Sequence, residues 1–326
     1  MTGAIAGRDP APAGRRFGLS SFGLKIVGCV CMVFGGIAMY VPGAPVAFAW
    51  IGQAALPIFL YQVGWSCEYT RSRRRYLLRL YAASVATGFI LAAWPWPGLG
   101  VNVFPVLLHT AIVICILLEP DVRRRIQYAL LYVIWQVSAY VLLYEGVARA
   151  VHLIPEPYYS QWSASFDLER FLQSLFGMVL FMDYGLFYVA IGVGLWLCRK
   201  SRVHMTVTMA LVGVTSLLFY SEAYSTAMLQ LPGRLLGMDW YEADPLSQTL
   251  HMVLFGNRLI YAYPAQNLPS DNLGWAMIFA LPFLLLHNGR RGRGGRCAKW
   301  FFYVFYPVHI MVLFVVGRLL GYGVIF

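Results

Sequence analysis

The hydrophobic positions of this chain run in long blocks, separated by short segments dense in arginine, proline or glycine. A helix needs about 20 apolar residues to cross the hydrocarbon core of a bilayer. Nine blocks qualify, at 22–41, 47–67, 76–95, 101–119, 126–148, 174–198, 203–220, 273–287 and 300–321. The pattern predicts an all-α polytopic bundle of nine transmembrane spans, forming one domain over residues 1–326 behind a flexible start at 1–20. The eighth block is short, as in a tilted or half-inserted segment. Long connections fall only at 149–173 and 221–272, both rich in Tyr, Trp, Pro and acids.

Composition agrees with this reading. The chain is 60% hydrophobic and 12% charged, with a mean hydropathy of +0.64. Soluble domains carry about twice that charged fraction, so too little polar surface is present to coat a water-soluble particle of this size. The six cysteines show no CxxC pair and no metal-ligand spacing.

The net charge of +11 would suggest a nucleic-acid partner in a soluble protein. Here its distribution gives another reason. Arg8, Arg15, Arg16 and Lys25 precede or open the first span, and Arg71, Arg73, Arg74, Arg75 and Arg79 follow the second. Arg123–Arg125, the Arg199–Arg202 group and the run from Arg290 to Lys299 fall at every second connection thereafter. These groups hold 20 of the 25 basic residues. The positive-inside rule places them in the cytoplasm, with the amino end inside and both long loops outside. No nucleic acid is expected as a partner; the bilayer is.

Ionisable groups inside a span are costly, about 2.5–3.5 kcal/mol on insertion scales, and carry a functional presumption. Three stand well inside predicted spans: His109 in the fourth, Asp183 in the sixth and His309 in the ninth. At 1.5 Å per residue each lies roughly 10–15 Å from the nearer span end. Histidine is the natural general base near neutral pH, and a carboxylate can fix its tautomer. Pro307 just before His309 removes a helical hydrogen bond and predicts a kink that aims His309 inward. The alternative is that each histidine bonds a neighbouring helix and serves packing. In the loop ahead of the last span, glycines leave the backbone free to approach a ligand while Arg290 and Arg291 offer phosphate contacts; the Arg71–Arg75 group offers the same. Topology alone also demands basic loops on that side.

Three stretches together resemble the TraX family of integral-membrane pilin acetyltransferases. LKIVGCVCMVF at 24–34 is similar to its first span, and Pro57, Phe59, Thr70, Arg71, Tyr76, Leu77, Arg79 and Leu80 fit its second motif. Asn288, Gly289 and Gly292, then Phe302, Tyr303, Phe305, Tyr306, Pro307 and His309, fit its terminal turn and span in order and spacing. The chain departs from the pattern where an Asp-His pair is usual, with Gly35 and Gly36 instead, and has His287 where a Tyr is usual.

The resemblance implies an inner-membrane acyltransferase that takes acetyl from acetyl-CoA, with no metal. Arg73, Arg74, Arg75, Asn288, Arg290 and Arg291 would hold the donor, and His309, helped by Asp183 or His109, would be the base. Tyr306, one turn before His309, would donate to the oxyanion. The acceptor would be a pilin-like amino terminus or an envelope glycan hydroxyl. Two other expectations stand beside it: a non-catalytic assembly protein of a conjugation or secretion system, and a proton-coupled transporter using the three buried groups.

Overall fold

The computed structural model describes residues 18–94, 100–147, 166–179, 183–219, 273–292 and 295–321, with Arg149 and short stretches between 231 and 256. The described residues are helical, with no strand beyond a single bridge. In chain order the helices are α1 (Ser21–Tyr40), α2 (Val46–Gln53), α3 (Ala55–Tyr69), α4 (Arg73–Ala93), α5 (Phe104–Leu117) and α6 (Val122–Tyr140). They continue with α7 (Leu168–Leu175), α8 (Leu186–Cys198), α9 (Arg202–Phe219), α10 (Leu281–Leu285) and α11 (Arg296–Leu319). A wider helical turn, Val141–Val147, extends α6, and a tighter one, Leu273–Ala280, leads into α10.

Among the described residues, five segments are long and apolar enough to cross a membrane: Ser21–Tyr40, Val46–Tyr69, Arg73–Ala93, Val122–Val147 and Trp300–Leu319. Four shorter apolar helices, Phe104–Leu117, Leu186–Cys198, Arg202–Leu218 and Leu273–Leu285, fall where four further spans were expected. Start signals are local. Ser20 Oγ accepts from the Gly23 N–H, Ser72 Oγ from Arg75, and Asp121 and Asp167 cap α6 and α7 in the same way.

The core is built on α3 and α5. Ile58, Leu60, Cys67, Ala111 and Ile114 are fully buried, and α3 packs against α1, α5 and α8. By contrast α6 buries only Gln136 and Ala139 and turns most of its apolar surface outward. A helix apolar on its outer face suits a lipid surround.

The sixth expected span, 174–198, is not one helix, which corrects the placement of Asp183 at mid-span. Gly177 adopts φ +60°, a left-handed conformation that ends α7. A Cβ there would lie 2.7 Å from the Trp135 ring, so only glycine fits. The freed backbone groups are taken up by α6 side chains. Trp135 Nε1 donates to the Phe176 carbonyl at 2.9 Å, Gln136 Nε2 to the Gly177 carbonyl at 3.1 Å, and the Val179 N–H to Gln136 Oε1 at 3.0 Å. Burying a broken helix requires such replacements. Among the described residues helix resumes at Leu186, and Asp183 lies ahead of it.

A crossing of α1 over α2 explains Gly35. A Cβ on Gly52 would lie 2.4 Å from Gly35 Cα, and one on Gly35 3.0 Å from Gly52 Cα. Two glycines let the backbones touch. Placing an acid there by Gly35→Asp is expected to lower the thermal midpoint in detergent, overpacking alone costing about 1–3 kcal/mol. An unchanged midpoint would contradict this crossing.

Candidate functional site

At the end of the bundle that carries the arginine clusters, residues 18–22 run beside residues 286–291. The Leu19 N–H donates to the Leu286 carbonyl at 2.9 Å and the Asn288 N–H to the Leu19 carbonyl at 2.9 Å. The Ser21 N–H reaches the Arg290 carbonyl at 2.8 Å and the Phe22 N–H that of Arg291 at 3.2 Å. Asn288 Nδ2 adds a bond to the Gly18 carbonyl at 3.0 Å. Gly18 and Gly292 have positive φ, and a Cβ on Gly292 would lie 2.3 Å from Ser20 Oγ. The Asn-Gly-x-x-Gly turn of the sequence is thus a clamp between the first helix and the last.

The clamp borders a cavity of about 710 Å³, enclosed by α1, α3, α4, α5 and α11. Its wall carries Lys25, Arg71, Arg75, Arg79 and Arg291 and, among the described residues, no carboxylate. Arg75 and Arg79 stand one turn apart on α4. Arg291 donates from Nη2 to the Tyr69 carbonyl, its guanidinium 5.6 Å from the Tyr69 ring centre. Tyr69 in turn stacks on Trp65, 5.3 Å apart and 19° from parallel. Lys25 Nζ sits 5.6 Å from the Phe302 ring centre, in the range of a cation–π contact. The inner wall is apolar and aromatic, including Phe59, Val63, Phe104 and Leu107. Gln62 also lines it, only 2% exposed, and its Nε2 has no hydrogen-bond partner among the described residues.

Ser21 lines the same cavity. Its Oγ is 3.0 Å from His287 Nε2, and His287 Nδ1 is 3.1 Å from the Tyr61 hydroxyl. The imidazole packs edge-on against Tyr61 and Trp65, at 5.4 and 5.1 Å between ring centres. His287 lies beyond the last turn of α10, outside the helical segment. Burial lowers its pKa to about 4, so the ring is neutral near pH 7, with one donor and one acceptor nitrogen.

The expected residues separate into two groups. Arg75 and Arg291 are on the cavity wall; Arg73, Arg74, Asn288 and Arg290 are not. Asn288 serves the clamp, its Oδ1 accepting from the Arg290 N–H at 3.0 Å. The inner end of the cavity is closed by Tyr306, whose hydroxyl donates to the Val101 carbonyl, so that proton is not aimed at an oxyanion. His309 stands behind Tyr306, 5.6 Å between ring centres, and is not part of the wall. Its Nδ1–H donates to the Phe305 carbonyl at 3.1 Å, and the ring stacks on Phe305 at 5.0 Å. Gly36 is its neighbour on α1: a Cβ there would lie 3.9 Å from His309 Cδ2.

His109 is fully buried on α5, its Nδ1 2.9 Å from the Tyr132 hydroxyl and its ring stacked on Trp135. Asp183 accepts from the Asn102 N–H at 2.8 Å and pairs with Arg170 at 3.6 Å. His109, Asp183 and His309 therefore each have their own partners. They do not form the relay that their matched depth suggested. Sequence reasoning missed Ser21, Tyr61, Gln62 and His287. A glutamine inside an apolar span was the one signal available for Gln62; the pairing of Ser21 with His287 spans most of the chain.

No family model, no curated protein and no solved structure matches this chain.

His287 gives a testable pH dependence. Its folded pKa lies below the ordinary value near 6.5, so the stability it contributes is complete above pH 6.5. That part is lost as the pH falls from 6.5 to about 4. The gap in thermal midpoint between the wild-type chain and His287→Gln is expected to narrow over that interval. A gap that stays constant would rule out a neutral, buried His287.

Proposed function

We propose that the chain is a multi-pass inner-membrane acyltransferase similar to the TraX family, using acetyl-CoA from the cytoplasm as donor. The observation that carries this reading is the cavity wall, with five cations, no carboxylate and an unpartnered buried amide. Like charges gathered in a partly desolvated space repel one another unless an anion joins them. Phosphate groups supply that anion, and arginine's planar fork is suited to binding them. Gln62 Nε2 offers a donor to a carbonyl or amide oxygen further in, and the apolar inner wall suits the rest of a donor molecule.

Orientation follows from the same charges. The four shorter apolar helices complete nine spans, and the positive-inside rule puts the arginine-bearing end in the cytoplasm, where acyl-CoA is made. Arg71, Arg75, Arg79 and Arg291 hold the phosphates. The acceptor is an amine of a pilin-type amino terminus or a hydroxyl of an envelope glycan.

A second reading, a non-catalytic assembly protein that keeps the fold, is favoured by one observation. The α1–α2 crossing excludes any side chain at Gly35, so the acid of the family's usual Asp-His pair has no place here. A proton-relay transporter loses its support, because its three expected groups have separate partners.

Acetyl-CoA binding tests the reading. Acetyl-CoA is expected to raise the thermal midpoint of the purified chain, and of Arg123→Glu, whose site lies on the exposed start of α6. The double variant Arg75→Glu/Arg79→Glu is expected to lose the shift. Each charge-assisted contact is worth about 1.5–3 kcal/mol, so affinity should fall on the order of 100-fold or more. No shift in the wild-type chain would overturn the donor assignment and favour the assembly protein.

A further inference from the structure

We propose that Ser21 on the cavity wall forms a nucleophile relay with His287 and Tyr61 behind it, and that Ser21 carries the acyl group as an ester between donor and acceptor. The inference rests on the acyl-donor reading above and names the residue that reacts. Three observations support it. Ser21 lines the cavity, and its Oγ lies within hydrogen-bond reach of His287 Nε2, at 3.0 Å. The far nitrogen of the same ring is engaged by the Tyr61 hydroxyl at 3.1 Å. Nucleophile, base and orienting group in this order are the minimum set for covalent acyl transfer. Finally, Lys25 follows Ser21 by one turn of α1 and lines the same wall. Its ammonium supplies positive charge for the oxyanion, which the backbone at this helix start does not, since the Ser21 and Phe22 N–H groups are bonded to carbonyls.

In the tautomer protonated at Nδ1, that N–H donates to the Tyr61 oxygen and the Nε2 lone pair accepts from the Ser21 hydroxyl. Ser21 Oγ attacks the thioester carbonyl while its proton passes to Nε2. The new C–O bond forms, the C–S bond breaks, and the departing thiolate takes the proton from His287. The products are an ester on Ser21, a free thiol and a neutral His287. Attack of the acceptor amine or hydroxyl on the ester then returns the proton to Ser21. Tyr61 is a positioning residue, since it acts only through the ring of His287.

The test uses the full-length chain in detergent with two acyl sources, p-nitrophenyl acetate and acetyl-CoA, read by mass spectrometry of the intact protein and its peptides. One acetyl per chain is expected on the peptide containing Ser21, none with Ser21→Ala, and a thioester label with Ser21→Cys. His287→Gln is expected to slow labelling on the order of 10²-fold or more, the usual contribution of a general base. Tyr61→Phe is expected to lower the limiting rate without changing the half-saturating concentration of p-nitrophenyl acetate, a split that a loss of cavity structure would not produce. Because Ser21→Ala keeps the cation wall, it should retain the acetyl-CoA thermal shift, which shows that it is folded. A label of equal yield in Ser21→Ala, or one found at another residue, overturns the proposal. A thermal shift with acetyl-CoA but no label from either source overturns the covalent step and leaves donor binding intact. A label from p-nitrophenyl acetate at Ser21 without any acetyl-CoA shift upholds the relay and overturns acetyl-CoA as donor.

Discussion

The backbone pairing of residues 18–22 with 286–291 is the constraint on which the rest of the basic end depends. A helix leaves its first N–H groups without intrahelical partners, and in an apolar surround each unpaired group is costly. Here residues 290–291 meet that demand for α1. The N–H groups of Ser21 and Phe22 take the carbonyls of Arg290 and Arg291, and Gly23 takes Ser20 Oγ. The same bonds fix where side chains stand. Ser21 is set against His287, and Arg291 is carried across to Tyr69 at the end of α3. Because the helix start is already satisfied, its positive end is not free to bind an anion. The charge of the cavity comes from side chains, above all the arginines that α4 presents one turn apart.

The same accounting explains the middle of the chain. A continuous sixth span would have placed Asp183 among apolar neighbours with no charge partner. Breaking the helix at Gly177 moves that carboxylate to the Asn102 N–H and to Arg170, which also donates to the Gly100 carbonyl at 3.0 Å. The backbone groups lost in the break are recovered by Trp135, which donates, and by Gln136, which both donates and accepts. Two neighbouring side chains of α6 thus support the break that brings Asp183 to Arg170.

What was legible in the sequence follows the length of the signal. Runs of twenty apolar residues located every long helix, since hydrophobic length is a property of contiguous positions. The break at Gly177 was hidden because hydropathy does not register a left-handed glycine or the glutamine that compensates it. The cavity was half visible. Arg75 and Arg291 were found because they belong to dense basic clusters, whereas Lys25 and Arg79 were read as topology signals and motif positions and not as ligand contacts. Asn288 was read as a ligand contact, and its amide instead closes the clamp. The contact of Ser21 with His287 joins residues 266 positions apart, and no local pattern encodes it.

The glycines of α1 connect these points. Gly28 lies beneath Phe59, Gly35 against Gly52 and Gly36 against Leu313 and His309, so α1 is drawn close to α2, α3 and α11 along its length. Close approach removes room for polar side chains in the middle of the helix, where charge would also be most expensive. Apart from the Tyr40 hydroxyl at its far end, the hydroxyl and charged groups of α1 stand in its first turns, at Ser21 and Lys25, where the clamp brings His287 and Arg291 to meet them. The packing that leaves no room for a side chain at Gly35 is thus the packing that sets Ser21, His287 and the cations together at one end, beside the cavity.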